Sequence, residues 1–315
     1  MRATGKSKLD IPGGAFTKLE DLLALRHSAA SLVRKSPPTA GSQLAGNYRT
    51  RQRGRGLDFA EVRPYQAGDD IRSIDWRVTA RSSKPHTRLY TEEKERPVLV
   101  LCDQRASMFF GSQIRFKSVQ AANIASLLAW SALHHGDRVG GLVLSNDGHT
   151  ECRPKASSKQ VLRLISDIQQ ANSKLSSSSD NPVSLLMMLH ELRRIARPGC
   201  AVYLISDFAD FDEDCVAPLF QVSRHCEVNA LCIYDPLEKA LPAKGRFQVA
   251  QGSRRAQVNA ANTTSRDRYK NWFEQHQQQV EQLLSGLGIS LQMVATNDDP
   301  RLLQFGRRIR SKARA

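Results

Sequence analysis

Two unbroken apolar runs, each stopped by an aspartate, constrain this chain more than any other feature. Val98–Cys102 is apolar without interruption and is followed by Asp103; Ala201–Ser206 is followed by Asp207. A run with no polar alternation is buried on both faces, as in a central strand of a parallel sheet. A carboxylate at the end of such a strand falls at the carboxyl edge, where open α/β sheets bind their ligands. Strand-like and helix-like stretches alternate over the rest of the chain, which predicts a doubly wound, mostly parallel α/β sheet.

The flanking segments order themselves around those runs. Residues 1–47 read as an amphipathic helix over Phe16–Val33 and then a linker rich in Pro, Gly and Ser. That helix is expected to pack on the domain or a partner, with a membrane surface as the alternative. Residues 48–96 form an extension with short strands, residues 97–300 the sheet domain, and 301–315 a basic terminal helix or tail. Helices are expected over Phe116–His134, Ser158–Gln169, Val183–Ala196, Val216–Arg224 and Ser265–Leu284. The Val183 helix is opened by Asp180-Asn181-Pro182, and Gly286 ends the last one. Asn146-Asp147-Gly148 signals a hairpin, and residues 245–260 a second, inserted hairpin around Gly252-Ser253.

The net charge of +15 is unevenly placed: 19 Lys/Arg against 11 Asp/Glu in residues 1–97, 21 against 20 in 98–300, and 6 against none in 301–315. The sheet domain is thus nearly neutral, and the excess sits at the two ends, which suits an acidic partner. Nucleic-acid binding is the rival reading, through Arg49, Arg51, Arg53 and Arg55 and through Arg307, Arg308, Arg310, Lys312 and Arg314. No aromatic residues interleave with either run as stacking platforms. Six scattered cysteines without a C-x-x-C pair read as reduced core thiols. The apolar runs are too short to span a membrane and no signal peptide opens the chain, so a cytoplasmic protein is expected.

Residues Gly54–Arg81 carry dense opposite charge: Arg63, Asp69, Asp70, Arg72, Asp75 and Arg81. They are expected to form an ion-pair network that clamps the extension, with Trp76 as a buried plug and Asp70 capping a short helix. The pattern Gly54-x-Gly56, Phe59, Arg63-x-Tyr65-x-x-Gly68-Asp69-Asp70-x-Arg72-x-Ile74-Asp75-Trp76-x-x-x-Ala80-Arg81, then Glu92-Glu93 and the strand ending in Asp103, resembles the domain-of-unknown-function-58 family. The likeness runs from Gly54 to about Thr296; Asp58 and Thr79 stand where that family usually has Glu and often has Ser. It implies a von Willebrand factor A-like fold of uncertain biochemical role. It also implies partnership with a MoxR-type AAA+ ATPase and an unknown client protein, in chaperone-like or metal-centre maturation systems.

Asp103-x-Arg105-x-Ser107 resembles the Asp-x-Ser-x-Ser metal loop of von Willebrand factor A-type domains, with Arg105 in place of a serine. Such a site holds Mg²⁺ through carboxylates and hydroxyls from three loops. The second-loop register puts Val183 where a threonine is wanted, and Ser184 replaces it only if the register slips by one. Like unit charges 4 Å apart repel by about 4 kcal/mol at an effective dielectric near 20, and a divalent ion beside a guanidinium faces roughly twice that. Arg105 is therefore expected to fork onto Asp103 or Asp207 in the cation's place. The alternative is a weak Mg²⁺ site of Asp103, Ser107 and Asp207, opened if Arg105 swings out.

No G-x-S-x-G elbow, Walker A loop or G-x-G-x-x-G after a strand is present, and no nucleophile accompanies the aspartates. The expectation is a non-enzymatic adaptor that binds its partner through Asp103, Arg105, Ser107, Asp207 and Asp210. Asp210, Asp212, Glu213 and Asp214 stand where a partner's basic residue would dock.

Overall fold

The computed structural model describes residues 13–30, 57–66, 69–82, 84–92, 96–175, 183–243, 245–251 and 254–303. Its elements in chain order are α1 (Leu19–Ala24), α2 (Arg26–Ala29), β1 (Leu57–Pro64), α3 (Trp76–Ser82), β2 (His86–Glu92), β3 (Pro97–Gln104), α4 (Lys117–His134) and β4 (Arg138–Ser145). Then come β5 (Gly148–Lys155), α5 (Ser158–Ser173), α6 (Leu185–Ile195), β6 (Ala201–Ser206), α7 (Val216–Ser223) and β7 (Glu227–Tyr234). The chain ends with α8 (Pro236–Lys239), β8 (Arg246–Gln251), β9 (Arg254–Asn259), α9 (Thr263–Gly286) and β10 (Ser290–Ala295). Two compact units result, Pro38–Glu95 and the remainder, Met1–Pro37 with Arg96–Ala315.

In the larger unit a six-stranded sheet runs β10-β7-β6-β3-β4-β5, parallel except for β5, which returns antiparallel from β4 at the edge. The two aspartate-ended runs are the neighbouring central strands β3 and β6, with Val98 opposite Ala201 and Cys102 opposite Ile205. Side chains alternate across the pleat. Val98, Val100 and Cys102 enter a core with α4 and α5, while Leu99 and Leu101 enter a second with α6, α7 and α9. Helix α5 lies close over β4 because Gly141 has no side chain: a Cβ there would come within 2.3 Å of the Val100 carbonyl and 3.0 Å of Leu164.

Several elements differ from the sequence expectation. The segment expected as one helix over Phe16–Val33 is two short helices, α1 and α2, and residues from 31 to 56, including the linker and the first basic run, lie outside the described residues. Leu22, Leu25 and Ala29 are buried in the α4 core, so this segment is part of the larger unit. Gly14 bridges Arg115, the Thr17 amide donates to Asn172 Oδ1 at 2.8 Å, and the Phe16 ring packs at a tilt of 43° against Phe109. Helix α6 begins at Leu185, capped by the Ser184 hydroxyl, because that side chain accepts from the Met187 amide; residues 176–182 are outside the described set. Helix α9 runs through Gly286, and Gly288, at φ +70°, ends it instead: its amide bonds to Ser285 O and that of Ile289 to Leu284 O, the 5→2 and 6→1 bonds of a left-handed stop. After Ala295 only a single turn, Pro300–Leu302, is described before residue 304, and the remaining tail, with its basic run, lies outside.

In the smaller unit β1 and β2 pair antiparallel. The Asp70 carboxylate accepts from the Arg72 amide at 3.0 Å and caps a turn over Ile71–Ser73. Asp75 caps α3 through the Arg77 and Val78 amides and pairs with Arg88 at 2.8 Å, while Arg63 pairs with Asp69 at 2.7 Å. The hydrogen bond from Arg88 holds the Asp75 carboxyl down at about 2. Arg72 and Arg81 lie at the surface. Trp76 is not a plug: it is 69% exposed, since one short helix on a two-stranded pair offers too little surface to cover an indole.

Candidate functional site

The site forms where β3 and β6 end. Parallel register brings the ends of neighbouring strands level, so Asp103 and the Ser206-Asp207 pair meet at one edge. Asp103 is wholly buried, and its Oδ1 accepts the Arg105 amide at 3.0 Å, turning the chain so that the guanidinium folds back over the carboxylate. Arg105 Nε donates to both Asp103 oxygens, at 3.0 and 3.2 Å, and one terminal nitrogen donates to Oδ2 at 2.8 Å. The Ser206 hydroxyl gives Oδ2 a further bond at 2.6 Å.

The other side of the guanidinium meets Asp210, not Asp207. Its two terminal nitrogens reach the Asp210 oxygens at 2.6 and 2.8 Å, and one also donates to the Val183 carbonyl at 2.9 Å. Asp210 additionally accepts the Leu185 amide, at the start of α6. Arg105 therefore links three loops, with Val183 contributing a backbone oxygen and Ser184 engaged as a cap. Burial opposes the Arg105 charge, but Asp103 and Asp210 together raise its proton affinity above the ordinary guanidinium value.

Asp207 has a different cation. Lys117, at the first position of α4, lies 2.9 Å from Asp207 and 2.7 Å from Glu238 and is buried. Burial pulls the ammonium's proton affinity down, and the Asp207 and Glu238 charges more than reverse it. Burial likewise pushes the Asp207 carboxyl up, while Lys117 and then Arg105 bring it below the usual carboxylate range. Ser107 is exposed, with its hydroxyl 3.3 Å from Asp207 Oδ1.

The next residue, Phe208, has φ +54°, the one positive-φ position among the described non-glycine residues. Its ring is buried against Phe211 and its amide is held by Ser206 Oγ at 3.1 Å, so packing fixes a backbone conformation that costs about 1–3 kcal/mol. That turn separates Asp207, directed at Lys117, from Asp210, directed at Arg105.

Three participants were missed from the sequence: Lys117, Asp235 and Glu238, the last of which gave no signal. Lys117 gave one signal: a cation in the first turn of a helix opposes the helix dipole, and no acidic residue accompanies it there. Asp235 gave another, since it too follows an apolar strand, β7. It is buried and accepts the Ser112 hydroxyl, the Ser112 amide at 2.9 Å and Thr296 Oγ1 at 2.7 Å, tying the β3–α4 loop to the ends of β7 and β10. Two buried cations at this edge, Arg105 and Lys117, thus hold four carboxylates (Asp103, Asp207, Asp210, Glu238), and a fifth, Asp235, is held by neutral donors. Among the described residues no helix is long and apolar enough to cross a membrane.

Comparison with known proteins places the chain. The model of the family described as "Protein of unknown function DUF58" matches residues 61–279. Uncharacterized proteins of Mycobacterium tuberculosis and Mycobacterium bovis are each 28% identical over 252 residues, covering 78% of this chain and 77% of theirs. Among solved structures, the conserved hypothetical protein BatB from Bacteroides thetaiotaomicron is 14% identical, covering 61% of this chain and 98% of its own at a TM-score of 0.36. An aerotolerance-related membrane protein from Bacteroides fragilis is 15% identical, over 59% and 99% at 0.35, and the SpRpn10 VWA domain 8% identical, over 66% and 92% at 0.33. The chain belongs to the DUF58 family.

Proposed function

We propose that this protein is a non-enzymatic, cytoplasmic adaptor that works with a MoxR-type AAA+ ATPase and binds its partner through the carboxyl edge of the sheet, where a degenerate metal-ion-dependent adhesion site carries its own cations. The observation that supports this is the Arg105 fork. The metal loop of von Willebrand factor A-like domains, whose fold this reading assigns to the chain, offers carboxylate and hydroxyl oxygens to a hard divalent ion. Here both oxygens of Asp103 receive Arg105, and Oδ2 also receives Ser206; Asp207 receives Lys117, Ser107 and the Ala209 amide. A divalent ion would have to enter beside a guanidinium and an ammonium, so these residues do not fit one.

The exchange of cation also sets the polarity of recognition. The carboxylates of this edge, Asp103, Asp207, Asp210, Asp235 and Glu238, outnumber its two buried cations, and the exposed residues Asp212, Glu213 and Asp214 lie next to them. Such an edge attracts a basic partner group and repels an acidic one.

The test is capture of a MoxR-type ATPase from the same organism on the immobilised protein, with and without nucleotide. Retention is expected for the wild type, with marked loss for the exposed double variant Glu213→Lys/Asp214→Lys. Equal retention of the two would remove the acidic edge from the interface. Retention on DNA that disappears when residues 304–315 are cut would support the nucleic-acid reading instead. Calorimetric titration with Mg²⁺ and Mn²⁺ should give no binding; sub-millimolar binding abolished by Asp103→Ala would overturn the metal-free reading.

A further inference from the structure

At the opposite, amino-terminal edge of the sheet, two cysteines lie side by side. The β6–β7 register starts with Ala201 opposite Glu227, and the Glu227 amide donates to the Cys200 carbonyl at 2.9 Å, so Cys200 and Cys226 face one another one step earlier. Both side chains enter the same core cluster, at 1% and 7% exposure. Neighbouring strands run about 4.7–4.9 Å apart, and a disulfide requires Cα atoms about 4.4–6.8 Å apart. The Cα spacing of neighbouring strands thus falls within the range that a disulfide spans. The two residues also share an anchor: the Arg197 carbonyl accepts the Cys200 amide at 3.1 Å and the Cys226 thiol at 3.2 Å.

We infer that Cys200 and Cys226 are a dithiol site that a small acidic disulfide of the glutathione type converts reversibly to an intramolecular disulfide. Supporting chemistry is local. The contact with Cys226 lowers the Cys200 thiol, helped by the nearby Arg138 and Arg96, while the same contact and burial raise Cys226, so Cys200 is the member of the pair that favours the thiolate. Cys102, Cys152, Cys215 and Cys232 are pushed above the ordinary thiol value, chiefly by burial. Arg197 and Arg224 are exposed at the same edge and favour an anionic reagent.

The exchange balances as follows. Because Cys200 is 1% exposed, exchange proceeds from a local opening of this edge; there the Cys200 thiolate attacks one sulfur of oxidised glutathione, the glutathione S–S bond breaks and one glutathione leaves as thiolate. Cys226 gives its proton to solvent and attacks the Cys200 sulfur of the mixed disulfide, releasing the second glutathione. Two electrons pass from the protein pair to glutathione, which is reduced while the cysteines are oxidised.

The experiment uses the full chain equilibrated over a range of oxidised to reduced glutathione ratios, quenched in acid, denatured and alkylated. The reduced chain has six free thiols. Oxidation is expected to remove two of them together, with peptide mapping joining Cys200 to Cys226 and excess reduced glutathione restoring both. In Cys226→Ala, Cys200 should retain a glutathione adduct that the wild type resolves. The inference is overturned if the wild type loses no thiols, if only a single adduct forms, or if any of the other four cysteines enters the bridge. The wild-type mapping alone decides should the variant fail to fold.

Discussion

Replacing Arg105 by methionine tests the site's construction most directly. The substitution keeps a long side chain but removes the guanidinium bonds to Asp103, Asp210 and Val183. Asp210 can regain water, because its side chain is 39% exposed. Asp103 cannot: it is fully buried and retains only the Ser206 hydroxyl and the residue-105 amide. An uncompensated buried charge of this kind costs about 3–5 kcal/mol. At about 2–4 °C per kcal/mol for a chain of this size, the midpoint of thermal unfolding should fall by roughly 6–20 °C at pH 7. Adding Asp103→Asn removes the stranded charge and should recover at least half of the loss, giving a coupling energy of about 2 kcal/mol or more in a double-mutant cycle. Calorimetry or denaturant titration of the four proteins provides the measurement. A loss below about 1 kcal/mol, or no coupling to Asp103→Asn, would refute the view that Arg105 neutralises a buried acid.

Lys117→Met strands Asp207 in the same way and should cost about 3–5 kcal/mol, partly recovered by Asp207→Asn, as denaturant titration would show. Asp75, with its folded carboxyl held near 2, stabilises its unit above the unfolded value near 4; that contribution should fade between pH 4 and 2 and be absent from Asp75→Asn, followed by NMR titration. Gly141→Ala drives a methyl group into the Val100 carbonyl and should destabilise by about 1–3 kcal/mol, measured as a lowered urea midpoint. Trp76→Ala, by contrast, should change stability by no more than about 0.5 kcal/mol, in keeping with an exposed indole.

What could be read from the sequence followed from local chemistry. The strands β3 and β6 were legible because burial on both faces demands unbroken apolar runs, and their terminal aspartates located the site edge. Arg105 was legible as a replacement cation because charge repulsion does not depend on the details of a loop. Its second partner was not: the choice of Asp210 over Asp207 is made by the positive φ at Phe208, which no run of residues announces. Lys117 is separated from Asp207 by 90 positions, so only the fold brings them together. Trp76 was misplaced because apolar character indicates a tendency to be buried, whereas the small unit around it lacks the surface to do so. The end of α9 moved by two residues because either glycine, Gly286 or Gly288, supplies a stop, and helix contacts decide between them.

The docking of residues 13–29 has a practical consequence for anyone trimming this protein. A buried relay runs from the Thr17 amide through the Asn172 side chain to Gln104, the neighbour of Asp103, and on to the Ser118 carbonyl. A chain started at residue 97, where the sequence reading places the front of the sheet domain, would discard one end of that relay and uncover the helix that Leu22, Leu25 and Ala29 shield. The smaller unit is an insertion within a single folded body, so the shortest sound fragment joins residues 13–30 directly to residue 96 and beyond by a designed loop.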